Sequence, residues 1–558
     1  MQRLIKRREA IFVRGPVYFL ERALLFSFCV HGIAMLAMLC FLLAGLPGGP
    51  NDGAARMAYV ASSPWLWRLG WFSWQLTALS DLLISLALLR IRWGLVAILT
   101  VVMVVAGMVP DQMGQVLWMT RGVELAQQGS LAAYSQFEAM VFGWISVYGG
   151  TFYTLAAVGW TWWFVTQGEV RGVRQVGGGS ILNGGPPQGG RPYGRWLYRG
   201  TGGVGQGEWG WTRSLTIYSI MLWGLFAFLS IDPLLPVMLR LPAVWIAGGN
   251  ALGFVLLLAW FVLVTEMVLR QRRPDQVVGR YAPWRYHGGG LGRVLDLIGN
   301  SRFLRTLGEY VPVPAFLSDI TDVIYVNYIV EASELEQYVP AGLELQRLGP
   351  DGRYAFFTFL TYSNGHFGPR FFGKLRKLLP SPVQSNWRIH VRDPRTDKKG
   401  IFFVATVIGN PVVALGARVF AEGMPMHVPR GSGIYSDKDG NVSMYLDSGK
   451  GSAPDVQVIL RRMDERPEQG PWSVCFASYE EMLAYCVPQD RAFSSQPWYG
   501  RVTRQEIKLG IPLDICQPLE GKVYSRAAQR FVGDAEPFCF YVANVNFRLE
   551  GEMYEPMA

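Results

Sequence analysis

A short polar alternation in the second half of the chain is the first pattern that points to chemistry. In the segment SNWRIHV, Asn386, Arg388 and His390 alternate with apolar residues. Side chains two positions apart on a strand share one face of a sheet, so these three polar groups would project together. On an inward face, the guanidinium of Arg388 could hold a carboxylate through two parallel hydrogen bonds. The alternative is that the apolar residues face inward and leave Arg388 in water.

Two further ionisable residues, Glu422 and His427, follow downstream. His390 and His427 could act as acid–base groups or, together with Glu422, as metal ligands. The sequence does not fix their distances, and a histidine that is satisfied within the core is the more frequent case. The six cysteines are scattered without a CxxC or Cys/His pattern, which argues against zinc and against a disulfide framework. We therefore expect no metal site and no cofactor.

A third group of polar residues lies inside long apolar segments. His31, Asp81 and Asp111 each have another polar residue one helical turn away, as Gln115 follows Asp111. Polar residues within a membrane are costly and often mark a polar pocket or a proton path. The alternative is that they form hydrogen bonds between helices and hold the bundle together.

The elements that must position these residues begin with membrane helices. Apolar residues make up 50% of the 558-residue chain and charged residues 17%, a smaller charged share than soluble domains carry. A spanning helix needs roughly 20 mostly apolar residues. Six segments meet this requirement: 17–46, 69–89, 93–118, 139–166, 214–231 and 243–269. The sequence therefore predicts a transmembrane bundle of about six α-helices in residues 1–270.

Basic residues predict the orientation of this bundle. Arginine and lysine concentrate before the first span, in a loop at 167–212 that is rich in Gly, Pro and Arg, and after the last span. The opposite loops carry Arg56, Arg68, Arg121 and Arg240. Because basic loops stay inside, both termini are expected in the cytoplasm of a bacterial cell, with the helices in its inner membrane. We assign the net charge of +10 to contacts with lipid headgroups and expect no nucleic-acid partner.

A juxtamembrane amphipathic linker at 271–310 is predicted between the bundle and a second domain at 311–558. Apolar residues at helical spacing in 291–309 indicate a helix that lies on the membrane or packs under this domain. From 311 onward, short β-branched and aromatic runs such as IFFVATVI are separated by turns such as DKDG. This pattern is typical of antiparallel β structure, as a barrel or a sandwich.

Several phrases of this second domain, taken in order, resemble a known bacterial family. They are VIYVNYIV, DGRYAFFTFLTY, SNWRIHVRDP, GIFFVATVIGNPVVALGARVFAEGMPMHVPR and QPWYGRVTRQEIKL. They resemble the YqjF-like family of acetoacetate-decarboxylase-like domains, over about residues 322–551. The resemblance implies a mainly antiparallel β barrel with a central pocket. The membrane half resembles no family that we would name.

The resemblance also bears on chemistry. In the decarboxylases a lysine follows a Gly-x-Pro turn and forms a Schiff base with a keto acid. Here the matching turn, 423–425, is followed by Met426, and a thioether cannot form an imine. The residues left as a candidate ligand-binding site are Asn386, Arg388, His390, Glu422, Met426 and His427.

We interpret the chain as a membrane-anchored protein whose cytoplasmic β-barrel domain binds a small apolar or carboxylate-bearing molecule. One alternative is a membrane-associated enzyme that acts on a lipid-like or isoprenoid substrate. Another is a transporter or channel with a regulatory cytoplasmic domain, in which the polar faces of the first three helices would meet around a cavity. The expected partners are the lipid bilayer and a small-molecule ligand, and protein partners stay open.

The predicted topology can be tested with reporter fusions. Fusions placed after Gly205 and after Gly290 should both report the cytoplasmic side, because the arginine-rich loops stay inside. A periplasmic signal at either position would contradict the topology.

The absence of a lysine at position 426 predicts that the domain forms no covalent imine with a keto acid. Borohydride added with acetoacetate should leave the mass of the protein unchanged. A trapped adduct on a lysine inside the β domain would overturn this prediction and favour the alternative that the protein is an enzyme.

Overall fold

Long apolar helices and a large sheet divide between two units of the chain, Met1–Arg272 and Arg273–Ala558. The structure is a computed structural model, and it describes residues 16–167, 210–272, 281–308, 310–311, 314–420, 426–487, 489–496 and 501–556. Each unit is described by itself.

Among the described residues of the N-terminal unit, six helices are long and apolar enough to cross a membrane. They are α1 (Pro16–Gly45), α3 (Pro64–Ile91), α4 (Leu95–Gln128), α5 (Leu131–Thr166), α6 (Arg213–Leu234) and α7 (Ala243–Arg270). A short helix, α2 (Gly53–Ser62), lies between the first two of them. The number of spans agrees with the sequence prediction.

Local signals in the sequence set the ends of these helices. α3 begins with Pro64, which suits a first helical position because its missing N–H would be unsatisfied there anyway. α6 starts after Thr212, whose side chain accepts a hydrogen bond from the backbone N–H of Leu215. At the other end of α6, the carboxylate of Asp232 accepts the backbone N–H of Leu241 at 2.9 Å, so the chain turns toward α7.

Small residues let α4 and α5 approach closely. A Cβ atom added to Gly107 would lie 3.2 Å from the carbonyl oxygen of Gly149, and one added to Gly149 would lie 3.1 Å from the Cβ of Asp111. At this contact the Tyr153 hydroxyl donates to Oδ2 of Asp111 at 3.0 Å. The amide of Gln115 donates to Oδ1 of the same residue at 2.8 Å. Asp111 is therefore a hydrogen-bonded tie between two helices.

The C-terminal unit is built on one 15-stranded sheet. Its strands are β1 (Phe316–Glu331), β2 (Glu344–Leu345), β3 (Arg347–Leu348), β4 (Tyr354–Ser363), β5 (Gly368–Pro369), β6 (Val383–Asp393), β7 (Lys398–Ile408), β8 (Met426–His427), β9 (Gly431–Ser436), β10 (Asn441–Asp447), β11 (Val456–Arg462), β12 (Arg491–Gln496), β13 (Arg501–Leu509), β14 (Gln517–Tyr524) and β15 (Phe538–Pro556).

The strand pairing is mainly antiparallel, as predicted. The central path runs β1-β4-β6-β7-β12-β13-β15, and β1 also pairs with β15. β7 and β12 meet through two parallel residue pairs, Ile401 with Ala492 and Phe402 with Phe493. The described residues form one mainly antiparallel sheet, and they do not close it into the expected barrel.

Short helices and 3₁₀ segments precede and connect the strands of the sheet. They are α8 (Gly290–Gly299), α9 (Arg302–Gly308), α10 (Ala332–Glu336), α11 (Pro411–Phe420), α12 (Tyr479–Cys486) and α13 (Arg526–Val532), with 3₁₀ segments Arg370–Leu378, Pro471–Val474 and Leu513–Ile515. The predicted helix at 291–309 is thus two helices. Asn300 lies at the break, where its side-chain amide donates to the carbonyl oxygens of Trp284 and Asp296.

The tie between α4 and α5 makes a stability prediction. Replacing Tyr153 with Phe removes one interhelical hydrogen bond, so the bundle should lose about 0.6 kcal/mol of unfolding free energy, the average for such bonds in membranes. Unfolding of the reconstituted protein by steric trapping would measure this loss. Tyr148→Phe is the control, since that ring is exposed on the bundle surface. Equal losses in both variants would contradict a role for the bond.

Candidate ligand-binding site

Strand β6 carries the alternating polar residues Asn386, Arg388 and His390, and both faces of this strand are buried. Trp387, Ile389 and Val391 belong to the largest apolar core of the C-terminal unit. On the opposite face, Arg388 is 3% exposed and His390 is fully buried. This second face is covered by a separate core to which α12 contributes side chains. The sequence suggested that one face would look toward water, and neither does.

A small cavity lies on the polar face of β6. Its volume is about 40 Å³, and Tyr325, Tyr362, Asn386 and Arg388 supply its polar lining. The other lining residues are aliphatic or phenylalanine side chains from β1, β4, β7, from β13 and the loop after it, and from β15. A cavity needs at least about 10–15 Å³ to hold one water molecule. This cavity therefore has room for about three waters or one carboxylate group.

The charge of Arg388 has no anionic partner among the described residues. Its guanidinium carbon lies 5.6 Å from the ring centroid of Tyr325, and its polar neighbours are the Tyr325 hydroxyl and the Cys486 thiol. Burial raises the pKa of Tyr325 to about 12, although Arg388 opposes the shift. Burial likewise raises the pKa of Cys486 to about 12. Both groups are therefore neutral at pH 7 and cannot balance the cation.

One edge of the Arg388 guanidinium is free. Its Nε and Nη2 atoms are buried and have no hydrogen-bond partner in the described structure. These two nitrogens share one edge of the planar group, and their N–H bonds run parallel. That edge is the fork that binds the two oxygens of a carboxylate or phosphate.

His390 extends the polar site along the strand. Its ring stacks on Tyr485 and is tilted against Phe356, with centroids 4.9 Å away in each case. Both ring nitrogens are buried and lack a hydrogen-bond partner in the described structure. Burial, and then the nearby charge of Arg388, hold the pKa of His390 well below its usual value, so the ring is neutral at pH 7. Tyr485 also lines a larger open cleft of about 920 Å³.

Asn386 lies at the other end of the alternation and is held by hydrogen bonds. Its amide donates to the Tyr362 hydroxyl at 2.9 Å. Its carbonyl oxygen accepts from the side chain of Gln384 at 3.1 Å. Gln384 in turn accepts from Asn364. This chain of amides fixes one polar wall of the cavity.

The downstream candidates do not join this site. Met426 packs in a separate apolar cluster with Trp284 and Ile408, and its carbonyl oxygen accepts the indole N–H of Trp284 at 2.7 Å. His427 is buried and lies 2.7 Å from the Ser452 hydroxyl through Nδ1. Neither residue lines the cavity beside Arg388. Glu422 lies outside the described residues.

The intramembrane candidates occupy the N-terminal unit. Nε2 of His31 lies 3.9 Å from Oδ1 of Asp81, and Nδ1 of His31 is 2.9 Å from the carbonyl oxygen of Ser27. Asp81 and Asp111 are close enough to interact electrostatically. The His31–Asp81 pair therefore joins α1 to α3, and Asp111 joins α4 to α5 through Tyr153.

Sequence reasoning missed the residues that complete the site, namely Tyr325 and the α12 residues Tyr485 and Cys486. Tyr325 sits in an apolar run that reads as an ordinary core strand. α12 did carry a signal, because the Ser478 side chain accepts the backbone N–H of Glu481 and the Glu481 side chain accepts that of Ala477. This Ser-x-x-Glu pattern marks a helix start, but it does not show that the helix covers β6.

Comparison with known proteins identifies the C-terminal unit. Residues 318–508 match the family model DUF2071, described as an uncharacterized conserved protein. No curated protein sequence matches the chain. Among solved structures, the enduracididine biosynthesis enzyme MppR complexed with pyruvate is 15% identical, with a TM-score of 0.30 over 44% of this chain and 91% of that one. An acetoacetate decarboxylase-like enzyme from Sphingomonas wittichii RW1 is 11% identical, with a TM-score of 0.32 over 44% and 95%. The C-terminal unit therefore matches the DUF2071 model, in agreement with the YqjF-like family that its sequence resembles.

Proposed function

We propose that the C-terminal unit binds a small carboxylate-bearing molecule at Arg388. The six long helices would anchor this unit to the bacterial inner membrane, with both termini in the cytoplasm. The observation that carries the proposal is the buried guanidinium edge of Arg388, a residue that lines the cavity, because this edge has no partner among the described residues.

The energetic cost of a buried charge indicates that Arg388 requires an anionic partner. Moving an ion into a protein interior costs several kcal/mol even after relaxation, and a partner charge with good hydrogen bonds is needed to offset it. Arg388 has no carboxylate partner in the described structure, and its neighbours Tyr325 and Cys486 are neutral. A ligand carboxylate would supply both the charge and the two acceptors that the free edge requires.

The cavity narrows the class of ligand. At about 40 Å³ it has room for a carboxylate group and little more, so the ligand should be as small as acetate or propionate, with its methyl end against the largely aliphatic and aromatic walls. Its lining contains no lysine, so an amine for covalent capture of a carbonyl is absent from the described walls. The proposed interaction is therefore reversible binding through charge and hydrogen bonds.

An enzymatic role is a second candidate, and one observation favours it. His390 is two residues from Arg388, is neutral, and keeps both ring nitrogens free of protein partners in the described structure. A carboxylate bound at Arg388 would offset the positive charge that lowers the pKa of His390, and the imidazole could then accept a proton from the ligand. Binding at Arg388 would come first in either case.

Substitution of Arg388 tests the proposal. In the full chain in nanodiscs, Arg388→Met should weaken binding of acetate or propionate at least about 30-fold, since truncating one partner of a buried charge pair costs about 2–5 kcal/mol. The ligand-free variant should be as stable as the wild type or more stable, because an unpaired buried charge is removed. Calorimetric titration and thermal unfolding measure the two effects.

Arg376→Met is the matched control. Arg376 is also buried, but it pairs with the half-exposed Asp319 at 2.7 Å and donates to two backbone carbonyls, so its loss should destabilise the unit by about 1.5–3 kcal/mol, the worth of hydrogen bonds to a charged group. If Arg388→Met is equally destabilising, or if it leaves carboxylate binding unchanged, the guanidinium is structural and the proposal fails.

A further inference from the structure

A cluster of large apolar side chains is exposed on the 3₁₀ segment Arg370–Leu378, which we call the docking segment. Phe371 is 75% exposed, Phe372 40%, Leu375 66% and Leu378 83%. Single exposed apolar residues are ordinary on protein surfaces. Four within nine consecutive residues concentrate exposed apolar surface in one segment, and exposed apolar patches mark contacts with another protein or with a membrane.

The charges of the docking segment are all positive. Its sequence, RFFGKLRKL, contains no acidic residue. Arg370, Lys374 and Lys377 alternate with the apolar positions, and none of the three forms a salt bridge within the described residues. Basic residues beside aromatic and aliphatic tips are the composition of segments that lie in the headgroup region of an anionic bilayer.

Two residues of the docking segment, Arg376 and Gly373, fix its backbone against the rest of the unit. Arg376, the fourth basic residue of the segment, is buried and donates to the carbonyl oxygens of Gly365 and His366, each at 2.9 Å. It also pairs with Asp319 at 2.7 Å. Gly373 has a φ of +52°, a conformation that favours glycine and turns the chain within the segment. The buried Arg376 therefore anchors the docking segment to β1 and to the loop at 365–366, while its apolar side chains stay exposed.

We propose that the docking segment binds the C-terminal unit to the surface of an anionic lipid bilayer. Phe371 and Leu378 would insert among the headgroups, while Lys374 and Lys377 contact lipid phosphates. A bilayer suits this patch better than a protein, because stable protein interfaces involve about 20–30 residues on each side. The same chain carries six helices able to cross a membrane, so the bilayer is tethered to the unit at a high effective concentration.

Site-specific photocrosslinking in the full chain tests the proposal. A benzophenone amino acid replaces Phe371 or Leu378 in protein reconstituted into nanodiscs rich in phosphatidylglycerol. The control position is Ile515, which is 45% exposed and follows an aspartate. Mass spectrometry should find lipid adducts at positions 371 and 378 in several-fold higher yield than at 515. These exposed substitutions leave the core of the unit intact.

Charge dependence provides the second arm. Lys374→Gln with Lys377→Gln, or raised ionic strength, should lower the adduct yield several-fold, because the attraction of a basic segment to anionic lipid is screened by salt. Adduct yields at 371 and 378 no higher than at 515 would overturn the proposal. So would equal yields in phosphatidylcholine nanodiscs, or crosslinks to protein in place of lipid. None of these outcomes depends on carboxylate binding at Arg388.

Discussion

A positive charge inside an apolar core is the constraint that organises the C-terminal unit. Arg388 sits on the central strand β6, both faces of which are covered, and no described carboxylate accompanies it. A protein that needed stability alone would place an aliphatic side chain there, because an unpaired buried ion is strongly unfavourable. The surrounding polar groups solve part of the problem. The Tyr325 ring faces the cation, and the amide chain from Asn364 to Asn386 forms one wall. The Nε/Nη2 edge of the guanidinium still lacks hydrogen-bond acceptors among the described residues, and the proposed ligand would supply them.

Much of the architecture was predictable, because long apolar helices and β-rich runs leave strong periodic signals. The span predicted at 214–231 is observed as Arg213–Leu234, and that at 69–89 as Pro64–Ile91. The errors have a common cause. The helix predicted at 93–118 extends to Gln128, and the helix predicted at 139–166 starts at Leu131. The added residues, MTRGVELAQQ and LAAYSQFE, are helical but too polar for a hydropathy criterion.

The candidate site was predictable only in part, because its members come from distant parts of the sequence. Alternation places Arg388 and His390 on one face, but it cannot say that α12, about ninety residues later, covers that face with Tyr485 and Cys486. Proximity to the family's Gly-x-Pro turn suggested Met426 and His427, and the parallel pairing of β8 with β7 directs them to other clusters.

An experimental density map of the full chain, prepared in nanodiscs with acetate in the buffer, tests the central claim most directly. We expect a planar anion on the Nε/Nη2 edge of Arg388, with the guanidinium still buried beside Tyr325. A protein carboxylate on that edge, such as that of Glu422, would contradict the account. An Arg388 side chain turned toward solvent would contradict it equally.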